Sequence, residues 1–426
     1  MDVVASLKDI FEHAVRAVDP YDCVRSYLED NPETWERGVY VAGFGKAVSK
    51  MAKACEDVIG DKIRGGTLIT KYGHAEKLNR LELLEAGHPV PDENCLKHSL
   101  VIVDLIDKLS RKDELLCLIS GGGSALFCKP FEGLSLNDKQ RTTDILLKAG
   151  ADIFELNAVR KHISDVKGGR FLRRFKGKKM TSLILSDVLG DRLDVIASGP
   201  TTYDESTYQD ALEVIRRYDQ ENEIPGNVTR LLKNGTGGVI PETLKYGDSV
   251  LERVDNVIIG SLSVAIKAAQ ERALSMGMDV MVREGFVAGE ASVAGREMAK
   301  RVKELIIERN KRPLCIISGG ETTVTVKGSG KGGRNMELAL SFAREIEGVD
   351  GVTMISAGTD GGDGPTDAAG AIVDGKTIQR AVEKGLNAVE YMRSNDTYNF
   401  FKKTGELFVT GPTGTNVMDI QMVIVQ

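Results

Sequence analysis

VYVAGFGKAVSKMAKA, residues 39–54, decides the architecture. From Val39 to Gly43 the run is apolar or small without alternation, which marks a strand covered on both faces. Glycines at 43 and 45 interrupt it, and the segment Lys46–Ile59 then keeps a helical period. Strand, glycine turn and helix in that order is the repeating unit of a parallel α/β sheet.

Outward from this stretch the unit recurs. Val- and Ile-rich runs at Leu115–Ser120, Ser182–Ser186, Val257–Gly260, Leu314–Ser318 and Val352–Ser356 end in glycine loops, and Asp279–Arg283 reads as a further strand. Helix-period segments at Leu96–Leu109, Val264–Met276, Gly295–Ile307 and Arg334–Ile346 fill much of the spacing, so an α/β fold is expected. At about 150 residues per domain, 426 residues make two or three domains. The segment NGTGGVIPETLKYGD, Asn234–Asp248, breaks the rhythm with glycine and proline, which predicts domains at 1–235 and 236–426. LLCLISGGGSALF from Leu115 and PLCIISGGETTVTV from Pro313 echo each other, as a duplication or one local solution used twice would.

Composition removes several classes. Hydrophobic residues are 42% and charged residues 28%, and no stretch approaches about 18 uninterrupted apolar residues, so no membrane helix is expected. Lys and Arg number 56 against 62 Asp and Glu, and the net charge of −6 argues against a nucleic-acid binder while leaving small anionic ligands open. Residues 1–20 read as an amphipathic helix through Leu7, Ile10, Phe11 and Ala14 rather than as a secretory leader, which predicts a cytoplasmic protein. Six scattered cysteines without a C-x-x-C suit buried thiols better than disulfides or zinc. Glycine, 46 residues, is in excess of the usual level of about 7% and clusters in loops, which directs attention to them.

Lys46, expected in the first turn of a helix, faces the positive end of the helix dipole unless an anion is bound or its side chain reaches into solvent. Ser120, Gly121, Gly122, Gly123 and Ser124 follow a strand and form either an anion-binding backbone nest or an unliganded tight turn. NAVRKHISDVKGGR, residues 157–170, sets Arg160, Lys161, His162 and Lys167 beside a glycine pair, as an anion lid or a solvated basic face would. Asp187 and Asp191 follow the strand at 182–186, at the sheet edge where α/β ligands bind. They could hold Mg²⁺ and accept a hydroxyl proton, or serve as turn and capping residues.

SGGETTVTVKGSGKGGRNMELAL, residues 318–340, holds Lys327, Lys331 and Arg334 among glycines that open a helix, with Gly332 and Gly333 next to the arginine. It is the strongest phosphate-loop candidate. Its Gly328, Gly330 and Gly333 also satisfy G-x-G-x-x-G, a pattern expected about 0.5 times by chance in so glycine-rich a chain, so a dinucleotide reading is weak. The Walker A and protein-kinase motifs are missing. Asp360, Asp363, Asp367 and Asp374 lie in SAGTDGGDGPTDAAGAIVDG, residues 356–375, as hard-cation ligands or turn formers, and TGPTGTNVMDIQ, residues 410–421, reads as a last polar loop. Cations for phosphates, acids for a metal and backbone nests are the inventory of phosphoryl transfer.

The series GFGKAVSKMA, ISGGGSAL, NAVRKHISDVKGGR, SDVLGDRLDVIASGPT, SGGETTVTVKGSGKGGRNMELAL, SAGTDGGDGPTDAAGA and TGPTGTNVMDI, in order from residue 43 to 420, resembles that of the class II glycerate kinases, whose C-terminal half is called the MOFRL domain. The resemblance implies an ATP-dependent glycerate 2-kinase, with a Rossmann-like N-terminal domain bearing a parallel sheet, a smaller α/β C-terminal domain and a site in the cleft between them. It also implies active-site roles for Lys46 and Arg334. Combined with the loop chemistry, Lys46 is expected to bind the D-glycerate carboxylate or a phosphoryl oxygen, Arg334 to stabilise γ-phosphoryl charge, and Asp191 to take the C2 hydroxyl proton. Ser120 to Ser124, Lys167, Lys331, Gly332 and Gly333 are expected to hold ATP, with Asp187 and Asp360 as Mg²⁺ ligands. The alternative is an NAD(P)H-dependent hydroxypyruvate reductase, a label this family also carries. A homodimer is the default assembly.

Overall fold

The computed structural model describes residues 2–219, 221–308 and 313–426. The chain forms two compact units, Pro20–Ile259 and, second, Gly260–Gln426 together with Met1–Asp19.

In the Pro20–Ile259 unit the strands are β1 (Val39–Phe44), β2 (Ile63–Lys71), β3 (Glu82–Ala86), β4 (Glu114–Ile119), β5 (Lys179–Leu185) and β6 (Val254–Gly260), in the order β3-β2-β1-β4-β5-β6. β1 with β2, β2 with β3, β1 with β4 and β4 with β5 all run parallel. The unbroken apolar runs follow from this: Ala42, Phe44, Cys117 and Ile119 enter one core, and their neighbours Val41, Leu116 and Leu118 enter the core on the opposite face. β1 is flanked by β2 on one side and β4 on the other, so the winding reverses between β1 and β4. Ligands in open α/β sheets bind at such a switch point, beyond the carboxyl ends of the strands.

The segment read as a linker lies inside this unit. The helix Gly226–Thr236 runs through residue 235, Leu244 is buried, its N–H donates to Gly168 O at 2.9 Å, and its carbonyl accepts from Asp204 N at 2.8 Å. The unit then continues to β6, and its boundary falls at Ile259 rather than at residue 235. Glycine and proline there make turns that the 168 and 204 loops satisfy.

The second unit begins with the helix Val3–Arg16, which buries Leu7, Ile10, Phe11 and Ala14 as its pattern predicts. Phe11 meets Phe408 edge-on at 5.2 Å and Asp9 accepts from Arg272 Nε at 2.8 Å. Its strands are β7 (Asp279–Val282), β8 (Val287–Glu290), β9 (Leu314–Thr323), β10 (Val352–Gly358), β11 (Gly370–Asp374), β12 (Leu407–Phe408) and β13 (Asp419–Val425). The order is β12-β11-β10-β13-β9-β7, with β8 also on β9. β7 and β8 pair parallel with β9, whereas β9/β13, β13/β10, β10/β11 and β11/β12 are antiparallel. β13 is central, although 410–421 reads as a loop, because buried Asp419 and Gln421 interrupt its apolar signal. All six cysteines are free, and five are buried. Among the described residues no helix is long and apolar enough to cross a membrane.

Candidate active site

The switch point of the Pro20–Ile259 unit gathers three of the expected loops. After β1 the chain turns at Gly45, whose φ of 141° suits glycine and where a Cβ would overlap Ser120 Oγ. Gly45 N–H donates to Ile69 O at 3.0 Å and Lys46 N–H to Gly121 O at 2.9 Å, and Ala47 N–H reaches Ser120 Oγ at 3.0 Å. The following helix therefore starts at Val48 with Ala47 as its N-cap, and Lys46 stands just before the helix rather than in its first turn. Ser120 caps the turn and locks the β1 and β4 loops together.

A Cβ on Gly122, whose φ is 83°, would stand 3.0 Å from the His88 ring and 3.1 Å from Lys46 Cγ. The lysine stem and the imidazole thus flank the glycine turn. On the neighbouring residue, Gly121, a Cβ would overlap the Asp187 carboxylate. Among the described residues the N–H groups of Gly121 and Gly122 have no hydrogen-bond partner, as an anion nest requires. Burial raises the Asp187 carboxyl above its ordinary value although Lys46 opposes the shift. Burial and the positive charges of Lys46 and Lys71 lower His88, favouring its neutral form.

Behind the turn, Lys167 is 1% exposed and donates to Ser124 O at 2.7 Å, Ser124 Oγ at 3.2 Å and Ala197 O at 3.3 Å. Ser198 Oγ lies 2.8 Å from Ser124 Oγ and donates to Asn157 Oδ1 at 3.0 Å. Asp191, Ala197 and Ser198 are non-glycine residues with φ of 54°, 50° and 62°. Such conformations cost about 1–3 kcal/mol each and collect at functional sites. A cavity of about 800 Å³ opens on Gly122, Ser124, His88, Lys139, Arg160 and Lys167. Sequence reading names Lys167 and Arg160 but passes over Lys139 and His88, which stand singly in segments with no glycine cluster.

In the second unit Arg334 opens the helix Arg334–Glu345. Its Nε and Nη2 donate to the two oxygens of buried Asp419 at 2.6 and 2.9 Å, and Nη1 faces Glu321 at 2.9 Å. Burial opposes the guanidinium charge, but Asp419 and Glu321 outweigh it and hold its pKa above the ordinary value. Asp419 lies in the TGPTGTNVMDI motif, but its role as the arginine's clamp is invisible in sequence, where the two residues stand 85 positions apart.

The glycine loop before this helix is used differently from a phosphate loop. Lys327 N–H and Gly328 N–H donate to Asn395 Oδ1 at 2.7 and 3.0 Å, and Lys331 N–H donates to Asp396 Oδ1 at 2.9 Å. Cβ atoms on Gly328, Gly330 and Gly332 would overlap residues 394–397, so these glycines permit close backbone approach. The helix N-terminus is capped by Asp363, which accepts from Asn335 N–H at 3.1 Å and Met336 N–H at 2.8 Å. Burial pushes Asp363 up to about 7 despite those bonds. Lys331 is exposed, with Nζ 4.5 Å from the Tyr398 ring centre. Asp360 is exposed and accepts from Gly362 N–H at 3.0 Å.

No group of three or more His, Cys, Asp or Glu side chains is placed to hold a metal among the described residues. Half-buried Asp187, raised by burial against the opposing effects of Lys46 and a backbone hydrogen bond, is a carboxylate that a cation would stabilise. One carboxylate with phosphate oxygens and waters is how Mg²⁺ is commonly held.

The parallel sheet, with a lysine, a free backbone nest and a carboxylate at its switch-point loops beside a cation-lined cavity, defines an α/β protein whose loops have the chemistry to meet an anion. Residues 6–233 match a domain of unknown function, DUF4147, and residues 314–419 match the MOFRL family. A D-glycerate 2-kinase of Thermotoga maritima is 46% identical over 415 residues, 97% of this chain and 96% of that one. A putative hydroxypyruvate reductase of Agrobacterium vitis is 39% identical over 98% and 94%. The crystal structure of a Thermotoga maritima glycerate kinase superimposes with a TM-score of 0.90 at 45% identity, covering 99% of both chains. The chain belongs to the glycerate kinase family built from DUF4147 and MOFRL domains.

Proposed function

We propose that the chain is an ATP-dependent glycerate 2-kinase, transferring the γ-phosphoryl group of ATP to the C2 hydroxyl of D-glycerate. The observation that carries this reading is near-full-length similarity to a D-glycerate 2-kinase, together with Lys46 beside the unsatisfied Gly121–Gly122 nest. Lys46 binds the glycerate carboxylate or a phosphoryl oxygen, and the Ser120–Ser124 turn cradles phosphate or carboxylate. Asp191 orients the C2 hydroxyl and accepts its proton as the oxygen attacks phosphorus. Arg334, aimed by Asp419, stabilises the charge on the phosphoryl oxygens. Lys167 supports the nucleotide through Ser124. Asp187 would hold Mg²⁺, which neutralises phosphate charge when bound. The site works in the cytoplasm on small soluble substrates.

The reductase reading has a relative's name behind it, but the glycine loop it needs spends three N–H groups on Asn395 and Asp396. Phosphorus NMR of D-glycerate, Mg²⁺ and ATP, run beside hydroxypyruvate with NADH or NADPH, decides the matter. A 2-phosphoglycerate signal is expected. A 3-phosphoglycerate signal removes the regiochemistry, and consumption of reduced nicotinamide alone removes the kinase.

A further inference from the structure

The cavity of about 800 Å³ lies wholly within the Pro20–Ile259 unit. On its helix, Leu136–Lys148, Lys139 is 5% exposed and its Nζ is buried with no hydrogen-bond partner. A buried ammonium without a partner is costly, and buried charges are ordinarily paired. Arg160, half-buried in the same wall, has no carboxylate partner among the described residues. Lys167 has only neutral acceptors. Burial, followed by the charges of Lys139 and Arg160, pushes its ammonium well below the ordinary value. The acidic residue of the lining, Asp144, is exposed and bound to Lys148 at 2.7 Å. Lys139, Arg160 and Lys167 therefore line one cavity with no carboxylate paired to any of them among the described residues.

The missing charge must come from a ligand, and the size of the cavity says which kind. Glycerate carries one negative charge on three carbons, whereas cavities of roughly 300–1,000 Å³ take ligands of cofactor size. The lining also includes an apolar group, Pro89, Val90, Pro91 and Leu147, with Val90 64% and Leu147 53% exposed. A polyanionic tail joined to a flat apolar head matches both ends. Gly122 lines the cavity and also lies against the Lys46 stem, so the cationic end leads to the proposed phosphoryl-transfer position.

We infer that this cavity is the nucleoside triphosphate site, with Lys139 and Arg160 binding the polyphosphate and the 89–91 turn with Leu147 receiving the base. The assignment rests on the kinase reading above, yet it can be tested apart from it. Isothermal titration of the full-length protein with ATP and Mg²⁺, and separately with inorganic tripolyphosphate, is compared for wild type, Lys139→Met and Arg160→Met. Each variant is expected to weaken both ligands by about ten-fold or more, the effect of losing a charge-assisted phosphate contact. The KM for glycerate should stay within about two-fold, since a lost nucleotide contact leaves acceptor binding in place. Ligand-free Lys139→Met should melt no lower than wild type, because the substitution removes an unpaired buried charge.

Nucleotide and tripolyphosphate binding unchanged in both variants of an active kinase overturns the assignment. Loss of glycerate affinity with ATP binding intact also overturns it, giving the cavity to the hydroxy acid. A protein that binds ATP in a Lys139- and Arg160-dependent way but makes no phosphoglycerate supports the cavity and defeats only the kinase reading.

Discussion

Replacing Asp419 by Asn tests whether the second unit is built around its arginine. Asp419 is 1% exposed and takes two hydrogen bonds from Arg334, at 2.6 and 2.9 Å. Breaking a buried ion pair costs about 3–5 kcal/mol, and a hydrogen bond to a charged group about 1.5–3 kcal/mol. Two features reduce this. The Arg334 side chain is 35% exposed, so water takes up part of the freed charge. Asp363, raised to about 7 by burial and in part by Asp419, gains from losing that negative neighbour. The net expectation is about 2–3 kcal/mol. At roughly 2–4 °C per kcal/mol, the melting transition of the second unit should fall by about 4–12 °C in scanning calorimetry.

Activity should suffer more than stability. A guanidinium that loses its alignment costs about 10²-fold in kcat/KM when it must meet a developing charge. Glu321→Gln is the control, because that partner is 46% exposed and the pair is worth no more than about 1 kcal/mol. Asp419→Asn with an unchanged melting point and kcat/KM within about two-fold of wild type would refute the clamp.

Three further predictions follow from the same geometry. Lys46→Met should lower kcat/KM for glycerate about 10²–10³-fold with a near-normal melting point, since backbone bonds and Ser120 Oγ hold the turn; wild-type kinetics would remove Lys46 from the site. Burial alone would raise the Glu242 carboxyl, but His162 and the Tyr208 N–H bring it from 4.5 to about 2. A depressed acid stabilises the fold above its unfolded pKa and loses that effect as pH falls, so denaturant midpoints should drop between pH 4.5 and about 2. Glu242→Gln should flatten this part of the profile, and a parallel curve would contradict the reasoning. Finally, five of six free cysteines are buried, and burial raises the thiols of Cys95 and Cys117 to about 12. A thiol reagent should therefore modify at most Cys23 quickly in the native protein and all six after unfolding.

The strands of both sheets that carry unbroken apolar runs were legible in sequence because burial on both faces leaves nothing polar to interrupt them. The short edge strand Glu82–Ala86 was not, since one face is partly exposed, and neither was central β13, which carries buried Asp419 and Gln421. Lys46, the Ser120–Ser124 turn and Asp187 were legible as loop chemistry after strands, and parallel pairing of β1, β4 and β5 brought their loops to one edge.

Sequence by itself determined the strand-turn-helix rhythm, the amphipathic first helix and the family motifs, because each depends on residues adjacent along the chain. Tertiary structure alone decided that the glycines after Lys327 pack against residues 394–397, that Asp363 caps a helix, and that Asp419 holds Arg334. It also decided that Lys139 is buried without a partner beside Arg160 and Lys167. Those facts depend on which distant side chains share a small volume. Local patterns carry no information about the desolvation and charge pairing that such proximity imposes.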